Sequence, residues 1–136
     1  MQEFIKFANE NPTCHLATVD EGQPRVRALG FWYADESGFY FQTASFKDLC
    51  GQLKKNPRVE ACFFNRDVMK MMRLAGEIEF VDDRDSRQRV MKDRPFLKGM
   101  GLNEESPELV MFRIAHGSAH FWTFDTNLKP KSIVKF

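Results

Sequence analysis

The sequence predicts a mainly β protein: an antiparallel barrel of six to seven strands with helices on its flanks. Two observations carry this reading. Segments of alternating, aromatic or β-branched character recur along the chain, joined by tight turns such as Asp20-Glu21-Gly22 and Asp35-Glu36-Ser37-Gly38, which is the spacing of a meander. Only three short helices are read among these strands, too few for the strand–helix alternation of a parallel sheet. With 136 residues and no repeat, low-complexity segment or linker, a single domain over 1–136 with a substantial core is expected.

Phe4, Ile5 and Ala8 mark an amphipathic helix over residues 2–10, ended by Asn11-Pro12. Cys14 to Val19 is a strand, and the turn at Glu21-Gly22 leads into a second strand from Pro24 to Tyr33. Gly38 is placed to take positive φ in the next turn, and Phe39-Tyr40-Phe41-Gln42-Thr43 is the third strand. Ser45-Phe46-Lys47-Asp48 has the Ser-x-x-Asp capping pattern, so a helix is predicted to start at Ser45 and stop at Asn56-Pro57. Arg58 to Phe64 alternates and then runs apolar, as a strand buried at one end does. Asn65-Arg66-Asp67 is a turn, and Val68 to Phe80 is a long strand with Gly76 as a bend or bulge. Arg84 to Arg94 reads as a helix with Val90 and Met91 inward and its arginines paired with Asp82, Asp83, Asp85 and Asp93 on a solvent face. Pro95 to Pro107 reads as a loop long enough to be a lid or interface segment. Leu109 to Ala115 and Ser118 to Asp125 are two strands around His116-Gly117, and Ser132 to Phe136 is a last short strand.

Candidate chemistry concentrates between Gly22 and Pro57. Alternate side chains of a strand share a face, so Arg25 and Arg27 point one way and Val26 the other. Lys47 falls in the first turn of the predicted helix, whose free N–H groups and partial positive charge favour phosphate. With the hydroxyls of Thr43 and Ser45, these groups can converge on one anion. The alternative is a solvated basic strand face followed by an ordinary capped helix, and Asp48 competes for the same N–H groups.

The rest of the chain offers no rival. It has no Gly-x-Gly-x-x-Gly or Walker loop, no zinc-ligand spacing and no nucleophile elbow. His15 lies within a strand, with no partner that the pattern places beside it. Twenty Lys+Arg against 19 Asp+Glu give no global field for nucleic acid. No apolar run approaches membrane-spanning length. The polar, acidic start and three widely spaced cysteines, Cys14, Cys50 and Cys62, predict a cytoplasmic protein with reduced thiols. Fourteen Phe either fill the core or also line a cofactor pocket or subunit interface.

From Leu16-Ala17-Thr18-Val19 to Phe121-Trp122 the sequence resembles the FMN-binding split-barrel proteins related to pyridoxamine 5′-phosphate oxidase. The most specific stretches are Gln23-Pro24-Arg25-Val26-Arg27, Gly38-Phe39-Tyr40-Phe41-Gln42-Thr43, and Lys47 followed by Leu53 and Asn56-Pro57-Arg58-Val59. Arg73-Leu74-Ala75-Gly76-Glu77-Ile78 resembles the central strand of that family. The resemblance implies a split barrel, a homodimer with FMN in clefts between the subunits, and a small-molecule substrate. It implies that Arg27 and Lys47 hold the FMN phosphate, with Thr43 and Ser45 near it. It further implies that Arg25, Val26, Arg27, Ala28 and Leu29 run along the flavin with Gln42, and that Trp122 approaches from the partner chain.

Three departures set the chain apart from the oxidases. Trp32 stands where they carry lysine, Met71 where they carry glutamine, and Trp122 is followed by Thr123-Phe124-Asp125 rather than an Arg-x-His substrate motif. The likeness is to the short, general members, which include nitroimidazole-reductase-like proteins. The implied activity is FMN-dependent transfer of electrons or hydride from a reduced donor to a small organic acceptor, not oxidation of pyridoxamine phosphate. His120 is the histidine nearest Trp122 on the same strand face. A flavin carrier or sensor without turnover is one alternative. A split barrel holding haem or a deazaflavin is another, although no haem-ligating pattern surrounds His15, His116 or His120.

Overall fold

A computed structural model describes residues 1–136. In chain order the elements are α1 (Gln2–Glu10), β1 (Thr13–Asp20), β2 (Gln23–Asp35), β3 (Gly38–Ala44), α2 (Asp48–Lys55), β4 (Arg58–Asn65), β5 (Lys70–Val81), α3 (Arg84–Asp93), α4 (Phe96–Gly99), β6 (Leu109–Trp122), a 3-10 turn (Phe124–Thr126) and β7 (Val134–Lys135). All strand pairs are antiparallel. The order is β3-β2-β1-β4-β5-β6-β7, and a further β3–β6 pairing closes the first six strands into a barrel with β7 on the edge of β6. The predicted fold class is borne out.

Alternation decides what fills the barrel. Leu16, Ala61, Leu74 and Ala119 face one another across β1, β4, β5 and β6 and are all fully buried. Phe31, Phe41, Phe63 and Phe112 join them as an aromatic cluster, with the Phe41 and Phe112 rings stacked 5.0 Å apart. Helix α1 adds Phe4, Phe7 and Ala8 to this core. Helix α2 adds Leu49 and Leu53. A second, smaller cluster of Val90, Leu97, Leu109 and Met111 lies under α3 and α4, with Trp32, Val81 and Met91 against it. No helix is long and apolar enough to cross a membrane.

Four expectations are corrected. Helix α2 begins at Asp48, its N-cap is Lys47, and no side chain caps it. Ser45 cannot cap it because the strand ladder runs on: the Ser45 N–H donates to the Glu108 carbonyl, and the chain turns through Lys47 N–H to Ala44 O. The two strands expected around His116-Gly117 are one, β6, which crosses β5 at a register shift between Gly76 and Ile78. The close crossing needs both glycines: a Cβ on Gly76 would lie 2.5 Å from the His116 carbonyl, and one on Gly117 would collide with the Ala75 carbonyl. Strand β5 starts at Lys70, because Met69 takes positive φ in the preceding turn. The loop after Pro95 contains α4, anchored by buried Leu97.

Candidate functional site

The barrel is split where β2 and β3 part. Their pairing runs from Asp35↔Gly38 only as far as Phe31↔Phe41, with a bulge between Phe31 and Tyr33. Beyond it, Gln23 to Gly30 pair with β1 alone, and Gln42 to Ala44 pair with β6 alone. The Phe31 N–H points to Pro12 O on the β1 side. By strand alternation, the N–H and C=O groups of Val26, Ala28 and Gly30 point into the seam. Gly30 confirms the direction, since its carbonyl accepts from Arg94 Nη2 at 3.0 Å.

The same alternation assigns the side chains. Phe31 and Phe41 both face the barrel interior. Two residues further from the pair, Leu29, Arg27 and Arg25 on β2 and Thr43 on β3 take the interior face on the two sides of the seam. Arg27 lies opposite Leu16 and Arg25 opposite Thr18. Arg27 Nη1 donates to Leu16 O at 3.1 Å and to Thr18 Oγ1 at 2.8 Å, and its Nη2 donates to Gln52 Oε1 at 2.6 Å. Thr18 Oγ1 also donates to Gln52 Oε1 at 2.7 Å, tying β1 to α2. Every partner of Arg27 is neutral. Burial lowers its pKa from the ordinary arginine value, with the Asp48 charge acting against that. Arg25 is more exposed and pairs loosely with Asp20 at 3.7 Å.

Arg25, Val26 and Arg27 line one open groove of about 650 Å³ with Asp48, Gln52 and Lys55 of α2. Thr43, Ser45 and Lys47 are not part of its wall. Thr43 sits on β3, 2% exposed, and its Oγ1 is a buried polar atom with no hydrogen-bond partner. Ser45 and Lys47 are exposed on the turn into α2. Gln42 is buried and gives its side-chain amide to the Thr43 carbonyl at 2.8 Å. Trp122 is distant, at the far end of β6 opposite Met71, with its Nε1 donating to Asn127. His120 faces Arg73 across the β5–β6 ladder, and burial, Lys131 and Arg73 lower its pKa.

Sequence reasoning missed Thr18, Gln52 and Arg94. Thr18 and Gln52 are polar residues that look unremarkable until α2 folds over β1. The expected salt-bridged solvent face holds at Arg89 with Asp93, whereas Arg87 pairs with Asp82 but turns inward to the Ser106 and Leu109 carbonyls. Arg94 itself is half-buried against Gly30 and has no carboxylate partner, and burial lowers its pKa. Trp32, the first departure from the oxidases, packs into the second core and donates Nε1 to Asp93 at 3.0 Å.

A profile of the pyridoxamine 5′-phosphate oxidase family matches residues 1–123. The chain belongs to that family. The pyridoxine/pyridoxamine 5′-phosphate oxidase of Agrobacterium fabrum is 35% identical over 91 residues, 62% of this chain and 44% of that protein. The enzyme of the same description from Actinobacillus pleuropneumoniae is 30% identical over 95 residues, 69% of this chain and 44% of that protein. The chain thus matches less than half the length of these curated relatives. Among solved structures, a NimC/NimA family protein from Clostridium acetobutylicum superposes with a TM-score of 0.85 at 24% identity, covering 100% of this chain and 93% of the other. General Stress Protein 26 from Bacillus anthracis gives 0.78 at 17%, covering 99% and 98%. A pyridoxamine 5′-phosphate oxidase-related, FMN-binding protein from Nostoc punctiforme gives 0.65 at 16%, covering 93% and 87%. These likenesses establish the fold that the family shares with this chain.

Proposed function

We propose that this protein binds FMN at the β2–β3 seam and is a flavin-dependent oxidoreductase of the cytoplasm, acting as a homodimer on a small organic acceptor. The observation that carries the reading is Arg27, a half-buried cation whose partners are all neutral, beside a strand edge with unpaired backbone groups. A phosphate gives a guanidinium the charge that Thr18 and Gln52 lack. Thr43 Oγ1, buried on β3, has no hydrogen-bond partner within the chain.

In this reading Arg27 and Lys47 hold the phosphate, with Thr43 and Ser45 beside it. The backbone of Arg25 to Leu29 runs along the flavin, and Gln42 closes the β3 side. Trp122 belongs to the site only through a second copy of the chain, given its place on β6. Bound FMN supplies hydride and single-electron chemistry. The chain's own part is to fix the phosphate, align the ring edge against β2 and keep bulk water from the seam. The unpaired thiols of Cys14, buried inside the barrel, and Cys62, on the outer face, accord with a reducing compartment.

The test is the visible spectrum of the purified chain, followed by titration of flavin-free protein with FMN. Flavin absorption and saturable uptake are expected, and anaerobic bleaching by NADH or NADPH is expected of an enzyme. A colourless protein that takes up no FMN rejects the reading. A flavoprotein that no reduced donor bleaches and that reduces no acceptor is a carrier instead.

A further inference from the structure

The groove between β2 and α2 is larger than a phosphate monoester needs. Its volume of about 650 Å³ lies within the several-hundred-Å³ range of organic ligand sites. Arg27 is at one part of its wall, but Lys47, Thr43 and Ser45 are not in it. Lys55 has no role in the proposed FMN site and Arg25 only that of its backbone, yet both face the groove. Arg25 lies on the face of Arg27 at roughly 7 Å along the strand, and only a loose contact with Asp20 holds it. Lys55, the last residue of α2, is exposed and has no ion-pair partner.

The groove also carries Asp20 and Asp48. Carboxylates there oppose a bare inorganic anion, but they accept hydrogen bonds from vicinal hydroxyls, as acidic residues do from ribose. Cations alternating with carboxylates complement a phosphate joined to a sugar.

We propose that this groove binds the second phosphate and the ribose of a flavin dinucleotide, so that the protein takes FAD as well as FMN. Arg25 and Lys55 hold the phosphate that FMN lacks, and Asp20 and Asp48 accept from the ribose hydroxyls. The proposal rests on the flavin reading only in that Arg27 takes the first phosphate.

Fluorescence-quenching titrations of flavin-free protein with FMN and with FAD test it, in the wild type and in Lys55→Glu and Arg25→Gln. Both positions are exposed, and far-ultraviolet circular dichroism checks that the variants fold. The wild type is expected to bind FAD within about tenfold of FMN. Lys55→Glu is expected to weaken FAD by about fivefold or more while moving FMN by under about twofold. Arg25→Gln is expected to weaken FAD more than FMN. A wild-type FAD affinity more than about tenfold below that of FMN overturns the proposal, as does a Lys55→Glu variant that shifts both flavins equally or neither. FMN uptake without FAD uptake rejects the groove and leaves the flavin reading standing, whereas uptake of neither rejects both.

Discussion

Arg27 and Thr43 are the two residues at which the fold leaves chemistry unfinished. Arg27 is surrounded by oxygen dipoles rather than carboxylates. Removing it leaves Thr18 and Gln52 bonded to each other, so Arg27→Ala should fold. It is expected to weaken FMN binding by about 1–3 kcal/mol, the scale of a charged hydrogen bond. Lys47→Ala should do the same, and unchanged calorimetric titrations in both variants would refute the phosphate assignment. Thr43 supplies a sharper contrast, because its buried hydroxyl bonds to nothing. Replacing an unsatisfied buried hydroxyl by a methyl of the same shape is neutral or favourable, so Thr43→Val should raise stability by up to about 1 kcal/mol while weakening FMN. A variant that lost stability in denaturant titration would show that the hydroxyl has a protein partner. Strand alternation alone makes Arg25 and Arg27 legible as one face. The Thr18–Gln52 bridge and the seam position of Arg94 were not legible, because each joins residues more than thirty positions apart.

At the scale of elements, local pattern and tertiary pairing divide the credit. Turn chemistry locates the β1–β2 and β2–β3 hairpins, apolar spacing locates α1, and the charged segment after Asp83 locates α3. Ser45, a good cap by type, does not start α2 because the ladder to Glu108 holds it. The strand break placed at Gly117 followed glycine's usual role as punctuation. In the fold Gly117 is instead the contact point of two continuous strands, paired with Gly76. That distinction predicts opposite outcomes for two glycine-to-alanine changes. Gly117→Ala drives a methyl into the Ala75 carbonyl and should cost about 3 kcal/mol, the upper range of overpacking. Gly51→Ala adds a methyl in open space inside α2 and should stabilise by about 0.5–1 kcal/mol through helix propensity. Thermal melts of the pair check both, and a mild effect at Gly117 would mean that the β5–β6 crossing relaxes freely.

At the scale of the whole molecule, one sheet face is left without a covering layer. Helices α1 and α2 contribute to the barrel core, and α3 and α4 cover Leu109 and Met111. On the outer face of β1, β4, β5 and β6, Ala17, Glu60, Ala75 and Ser118 form one row and His15, Cys62, Arg73 and His120 the next. Phe64, Met71 and Trp122 continue it, with Phe64 45% exposed. Small side chains, one Glu60–Arg73 ion pair and an apolar edge make this the face on which a second copy would dock in the proposed homodimer. Thr43 pairs with Val110 near the start of β6 and Trp122 lies at its end, so in the proposed FMN site Trp122 would come from a second copy of the chain. If two copies join through this face, dimerisation and FMN binding are coupled, because a ligand that contacts both chains stabilises their association by mass action. The wild type should then sediment at twice the chain mass, more completely when FMN is added. Ala75→Glu, which sets a second carboxylate beside Glu60 on the outer face, should give a folded monomer with weakened FMN binding. A monomeric Ala75→Glu variant that bound FMN at wild-type affinity would separate the two properties, leaving the flavin site within one chain and Trp122 outside it.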